Sequence, residues 1–284
     1  MFLLLFVGNS YSTNTSALVI QEPIPLDSLS VEELGNLASA GNVDAIIAIA
    51  DRYVEGKGVE KSNFTASVYY EKAAGAGNEK AIAWCAEYFF KESRGYDPAN
   101  LIVTGWSAQD YHINCLHKAG KYGNVQAMYE IGSMYRTRKD HWGQYKNLNE
   151  AEYWLKKAAE KKHIAGSFEY AILLIYEKKN IEEAVQYLKF AADSGYDEAQ
   201  FYLGRAYEDG KVVTKNYSLM IKYVRMAAMQ NHNKAMYSLG IYYYDGRGVK
   251  MNLKEAYKWI HKAERNGFNT AIPMGNKLRK MGYR

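Results

Sequence analysis

Apolar residues along this chain recur at helical spacing, and the pattern itself recurs about every 36 residues. A column of anchors marks the copies: Ala45, Ala81, Ala127, Gly166, Ala199, Ala235 and Ala271, at steps of 36, 46, 39, 33, 36 and 36. Eight residues before the later anchors stand Ala73, Ala119, Ala158, Ala191, Ala227 and Ala263, with Leu37 in that place in the first copy. The offset of eight never changes, so all length variation falls on the other side of each copy. A fixed junction beside a variable loop predicts stacked hairpins of two helices.

The first helix of each hairpin places apolar or small residues four, five and eight past the anchor, on one stripe. Examples are Ile49/Ala50/Tyr53, Ile131/Gly132/Tyr135, Leu203/Gly204/Tyr207 and Leu239/Gly240/Tyr243. Glycine at the middle position invites close approach of the partner helix. Gly56, Gly210 and Gly246, each eleven past its anchor, end the helix in a turn written three times: YVEGKGV, AYEDGKVV and YYDGRGV. Val59, Val213 and Val249 return the chain to the core.

The second helix opens on Ser62, Asn147, Asn180, Asn216 or Asn252, residue types that cap free backbone N–H groups. Tyr69, Trp154, Tyr187, Tyr223 and Trp259 hold an aromatic column read as core. Gly41, Gly77, Gly123, Gly195 and Gly267 close the second helix, a place that calls for left-handed backbone. Asn231 suits that place and Lys162 is the exception. Ser30 and Glu33 fit a capping box before an N-terminal half-unit.

These columns resemble the Sel-one-like repeat, a relative of the tetratricopeptide repeat. The stretch AMYSLGIYYYDGRGVKMNLKEAYKWIHKAERNG at Ala235–Gly267 carries the resemblance most fully, and it weakens over 81–124. There the turn gives way to an insert, KESRGYDPANLIVTGWSAQD, with Tyr96 and Trp106. The resemblance implies an all-α, right-handed α-solenoid of stacked antiparallel hairpins, used to bind proteins. The solenoid is expected over 29–284, with units at 45–80, 81–126, 127–165, 166–198, 199–234 and 235–270 and a half-unit at each end. Exported bacterial proteins of this kind include host-factor binders, assembly adaptors and immunity proteins against secreted toxins such as type VI phospholipase effectors.

Composition adds the compartment and removes several chemistries. Residues 1–12, MFLLLFVGNSYS, read as a signal peptide, although no Lys or Arg precedes the apolar run; 13–28 read as a linker held extended by Pro23 and Pro25. The expected location is therefore periplasmic or secreted, with no integral membrane span, because Met1–Val7 is too short to cross a bilayer. The net charge of +5 is mild, and the basic residues read as dispersed, with the densest cluster at Lys277–Arg284. No nucleic-acid partner is expected, since the aromatic columns sit at core positions. His112, His117, His141, His163, His232 and His261 form no His-Glu-x-x-His motif, so neither metal nor cofactor is expected. No Ser-x-x-Lys occurs, and GKGVEKS at Gly56–Ser62 has the wrong spacing for a phosphate loop. No set of catalytic residues emerges; a hydrolase is the less favoured alternative. Asn14, Asn63 and Asn216 begin Asn-x-Ser/Thr sequons. Cys85 and Cys115 replace large residues in facing columns of one hairpin, and export permits a disulfide between them; two buried thiols are the alternative.

The partner face is read from positions three, six and ten past each anchor, opposite the apolar stripe. These eighteen positions hold seven acids, among them Glu87, Glu130 and Glu169, and two bases, one of them Arg205. They also hold Trp84, Ile172, Tyr176, Tyr202 and Ile241, which the helical pattern leaves without a packing role. In a solenoid of this kind the first helices line the concave side. The expected partner is a protein that presents an apolar knob ringed by Lys or Arg, and the chain alone is expected to be monomeric.

Overall fold

A computed structural model of the 284-residue chain describes residues 24–95, 108–137, 147–178 and 180–283. Segment 1–12, most of the 13–28 linker, and Tyr96 and Trp106 of the insert lie outside the described residues. Among the described residues there are fourteen α-helices and no strand. The chain divides into two compact units, Met1–Ala76 and Gly77–Arg284.

The first unit holds α1 (Val31–Ser39), α2 (Val43–Glu55) and α3 (Asn63–Gly75), with α2 packed between the other two. Ser30 and Glu33 form the expected capping box at the start of α1. Tyr53 of α2 stacks on Tyr69 of α3 at 5.8 Å between ring centroids.

The second unit is a run of antiparallel hairpins. These are α4 (Glu79–Arg94) with α5 (Ala108–Lys121), α6 (Val125–Thr137) with α7 (Leu148–Glu160), and α8 (Ile164–Leu173) with α9 (Ile181–Asp193). Then come α10 (Asp197–Asp209) with α11 (Tyr217–Met229) and α12 (Asn233–Asp245) with α13 (Leu253–Arg265); the short α14 (Ile272–Lys280) packs on α13.

The invariant offset of eight is a double cap. At the end of α7, Lys162 takes the left-handed conformation at φ 61°, as Asn231 does at φ 67° after α11. The next residue turns its N–H back to the small residue: His163 to the Ala158 carbonyl at 3.0 Å, Tyr196 to Ala191 at 3.1 Å, His232 to Ala227 at 3.2 Å. At every one of these junctions but Tyr196, that same residue then caps the following helix with its side chain. Asn42, Asn78 and Asn124 accept the N–H groups of Ala45, Ala81 and Ala127 through Oδ1, at 3.0, 3.0 and 2.9 Å. His163 and His232 do the same through Nδ1 for Gly166 and Ala235. One residue more or fewer would break one cap or the other. Lys162 therefore keeps the strained backbone that its neighbours reach with glycine or asparagine.

The repeated turn is equally regular. Gly56, Gly210 and Gly246 take φ of 79°, 75° and 70° at the helix ends. The N–H of the next cap residue then bonds back to the tyrosine eight past the anchor: Ser62 to Tyr53, Asn216 to Tyr207 and Asn252 to Tyr243, each at 2.9 Å. The hairpin α8–α9 lacks this glycine and is three residues shorter. It makes the same bond, Asn180 to Leu174 at 3.1 Å, by widening Leu174–Lys178 into a π-helical turn.

Close helix approach rests on the glycines five past the anchor. A Cβ on Gly132, Gly204 or Gly240 would lie 2.6, 2.6 or 2.5 Å from Leu155 Cγ, Val224 Cγ2 or Ile260 Cγ1. The cysteine pair departs from the bridged reading: Cys85 and Cys115 are both buried and are not joined by a disulfide. The packing of α4 against α5 supplies the bulk that a bridge would have offset, since Tyr88, Phe89, Tyr111 and Leu116 are buried around these columns.

Candidate functional site

In the second unit, first helices of successive hairpins are tied to one another by side chains on the positions read as the partner face. Glu169 of α8 accepts from Ser133 Oγ at 3.1 Å, Arg136 Nε at 3.1 Å and Tyr129 Oη at 3.4 Å, all on α6. Only 14 % of its side chain is exposed. Glu130 accepts from Arg94 of α4 and from Gln126 at 2.8 Å. The expected free acids are thus partners in bonds between repeats. The helical pattern failed to show this because it describes one helix at a time, whereas the neutralising arginines come from the preceding hairpin.

The same holds further along. Glu208 of α10 receives Arg205 of its own helix, Arg247 Nη1 at 2.6 Å and Tyr242 Oη at 2.7 Å, the last two from the next hairpin. Sequence reading assigned Arg205 to partner binding and passed over Glu208, whose position nine past the anchor lay outside the chosen columns. Tyrosine and carboxylate pair repeatedly: Tyr70 with Asp51, Tyr170 with Glu183 at 2.9 Å and Tyr223 with Asp193 at 2.9 Å. These pairs give several of the chain's 26 tyrosines an internal role. Burial, with the neighbouring carboxylate adding to it, pushes the phenols of Tyr129, Tyr223 and Tyr242 up to about 12, so each stays a donor.

The apolar candidates separate into two kinds. Trp84 is half-buried and stacks on Tyr88 at 4.6 Å. Ile172 is half-buried, and Ile241 and Tyr202 are half-buried against the core. Tyr176 differs: it stands 62 % exposed. The π-helical turn carries it, and its hydroxyl accepts from Tyr202 Oη at 2.8 Å, with the rings edge to face at 6.3 Å. Phe168 meets Tyr202 in turn at 6.2 Å, so the exposed ring is seated on an aromatic base. Glu87 is exposed on α4. Among the described residues no group of three His, Cys, Asp or Glu side chains could hold a metal ion, and no helix is long and apolar enough to cross a membrane.

Hairpins stacked through double caps, with side chains bridging successive first helices, define an α-solenoid scaffold. The family model for the Sel1 repeat matches residues 43–78, 125–163, 173–196, 197–232 and 233–268. The chain belongs to the Sel1 repeat family. Hairpin α4–α5 lies between the first two matches, yet it carries the same Asn78 and Asn124 junctions.

Among solved structures the chain is similar to a protective antigen of uropathogenic Escherichia coli with an SLR fold, at 25 % identity and TM-score 0.58, over 88 % of this chain and 52 % of that one. It thus spans about half the length of that relative. It is also similar to a Sel1 repeat protein from Oxalobacter formigenes, at 21 % identity and TM-score 0.53, over 87 % of this chain and 80 % of that one. An immunity protein from Pseudomonas aeruginosa matches at 20 % identity and TM-score 0.43, over 78 % of this chain and 82 % of that one, which is too distant to bear on function. No curated protein matches the chain.

Proposed function

We propose that this chain is an exported scaffold that binds a partner protein on the first-helix face of its second unit, around Tyr176 and Tyr202. The observation that carries this reading is the exposed Tyr176 ring on its aromatic base. A large ring held in place by Tyr202 has lost its conformational freedom before binding, which is what an interface anchor needs. Ile172 and Ile241 extend the apolar surface, with Trp84 and Glu87 toward α4. Glu130 and Glu169 serve this face by fixing neighbouring helices rather than by meeting a basic partner, and Arg205 serves it by pairing with Glu208. The centre of the site is therefore apolar and close to neutral.

An immunity role and an adaptor role use this face in the same way; a toxin gene beside this one distinguishes them. The experiment is affinity purification with the full chain and with a Tyr176→Ala/Tyr202→Ala variant of unchanged melting temperature. A partner retained by the full chain and lost about ten- to a hundred-fold in the variant supports the reading. Equal recovery of every partner by both proteins refutes it.

A further inference from the structure

Divided at Gly210, the basic residues are not dispersed. Up to Gly210 the sequence holds twenty-one Lys and Arg against twenty-eight acids; beyond it, fifteen against three. Those three acids are already paired: Asp245 with Arg247, Glu255 with Lys258, and Glu264 with Arg279 and His261. Lys211, Lys215, Lys222, Lys250, Lys254 and Lys262 are exposed, and none makes an ion pair among the described residues.

The excess cations share a face. From α7 onward the second helices expose one stripe, at spacings of four, seven and eleven residues. On α7 this stripe balances Lys156 with Glu160. On α9 it is acidic, with Glu182 and Asp193 against Lys189. One repeat later, α11 carries Lys222 and Arg225, and at matching positions 36 residues on, α13 carries Lys258 and His261, with Lys254 and Arg265 at its ends. Exposed apolar tips stand among them: Tyr217 at 42 %, Met251 at 63 % and Met229 at 67 %. A Cβ on Gly248 would lie 3.1 Å from the Tyr217 carbonyl, so the turn leading to Lys250 and Met251 rests on the start of α11.

We propose that this face docks peripherally on a bilayer surface bearing anionic headgroups. Three observations favour lipid over another macromolecule. The unpaired cations are mostly lysines, which protein interfaces avoid, whereas Arg247 and Arg279 are held in ion pairs and Arg225 donates to Tyr243 Oη at 2.8 Å. The rings of these helices are poor stacking platforms for bases: Tyr223 is buried, Lys215 lies over the exposed Tyr217 at 5.0 Å, and Lys258 and Lys262 lie over Trp259. Lysines on helix faces mixed with exposed methionine and tyrosine suit a headgroup layer, where each cation near an anionic surface strengthens binding roughly five-fold.

The test is flotation of the full chain with vesicles of phosphatidylcholine alone or mixed with phosphatidylglycerol, at about 0.1 M and about 1 M salt. The expected result is binding to the anionic vesicles only, lost at the higher salt. Lys222→Glu, Lys254→Glu, Lys258→Glu and Lys262→Glu together should reduce partitioning by ~100-fold or more. Reversing Lys156 and Lys189, on the same stripe of α7 and α9, should leave it unchanged, with melting curves confirming that both variants fold. Failure to bind anionic vesicles, equal binding to phosphatidylcholine, or retention by the fourfold variant overturns the proposal. So does tighter binding to single-stranded DNA or to polyglutamate in parallel titrations, which would assign the face to nucleic acid or to an acidic protein.

Discussion

Replacing Gly240 by alanine tests how closely the helices of one hairpin approach. The new Cβ would lie 2.5 Å from Ile260 Cγ1 and 3.1 Å from both Ile260 Cδ1 and the Ala256 carbonyl oxygen. Ile260 is fully buried, and as a β-branched residue in a helix it is held to one strongly preferred χ1 rotamer, so Cγ1 clears the new Cβ at least cost by a shift of α13. Two effects oppose each other. Alanine is a better helix former than glycine by about 1 kcal/mol. Overpacking a close-packed core costs about 1–3 kcal/mol. Overlap on a branched side chain with a backbone oxygen beside it belongs at the upper end, so Gly240→Ala should destabilise by about 2 kcal/mol. At about 2–4 °C per kcal/mol, the melting temperature should fall by roughly 4–8 °C in far-UV circular dichroism. Ile260→Ala should relieve the clash, so the double variant should be less damaged than the two single losses added together, by about 1–2 kcal/mol. A Gly240→Ala protein that melts at or above the parent temperature would refute the reasoning, because the propensity gain would then outweigh the contact.

Other perturbations address the bonds between repeats. Glu169→Lys should destabilise by about 2 kcal/mol in thermal melts, because it strips Arg136, Ser133 and Tyr129 of their acceptor and sets two cations together; Glu130→Lys, whose partner Arg94 is more exposed, should cost less. His163 caps α8 through Nδ1, and burial holds its pKa below the usual histidine value, with Glu130 opposing. Its contribution is therefore complete above the unfolded value of about 6.5 and is lost as pH falls below it. His163→Asn, the cap used at Asn42, Asn78 and Asn124, should keep the neutral-pH stability within about 1 kcal/mol and flatten the fall of the melting temperature between about pH 7 and 5; an unchanged slope would show that this cap does not titrate.

The hairpin architecture was legible because caps and turns are local chemistry. Ser62, Asn216 and Asn252 cap the helices they were read to cap, and Gly56, Gly210 and Gly246 end theirs in the left-handed conformation. Lys162 shows the limit of that reading: its side chain argues against positive φ, but the flanking caps of α7 and α8 fix the backbone regardless. The first-helix caps were missed although Asn42, Asn78, Asn124, His163 and His232 stand three before their anchors, a column as regular as the one that was found. The candidate face was legible only in part. Tyr176 is exposed as expected, whereas Glu130, Glu169 and Arg205 were misread as available charge. Their partners lie 33 to 40 residues away or on unexamined positions of the same helix, and a pattern that treats each helix separately does not record them.

Binding at the Tyr176 ring is tested most directly by replacing Tyr176 with p-benzoyl-L-phenylalanine in the producing cell and irradiating before lysis. Tyr153, also exposed but on the second helix α7, provides the matched control. The expected result is a discrete crosslinked adduct with another protein from position 176, absent from position 153 and diminished by Tyr202→Ala in the same chain. No adduct at 176, or the same adduct from both positions, would contradict binding through the first-helix face.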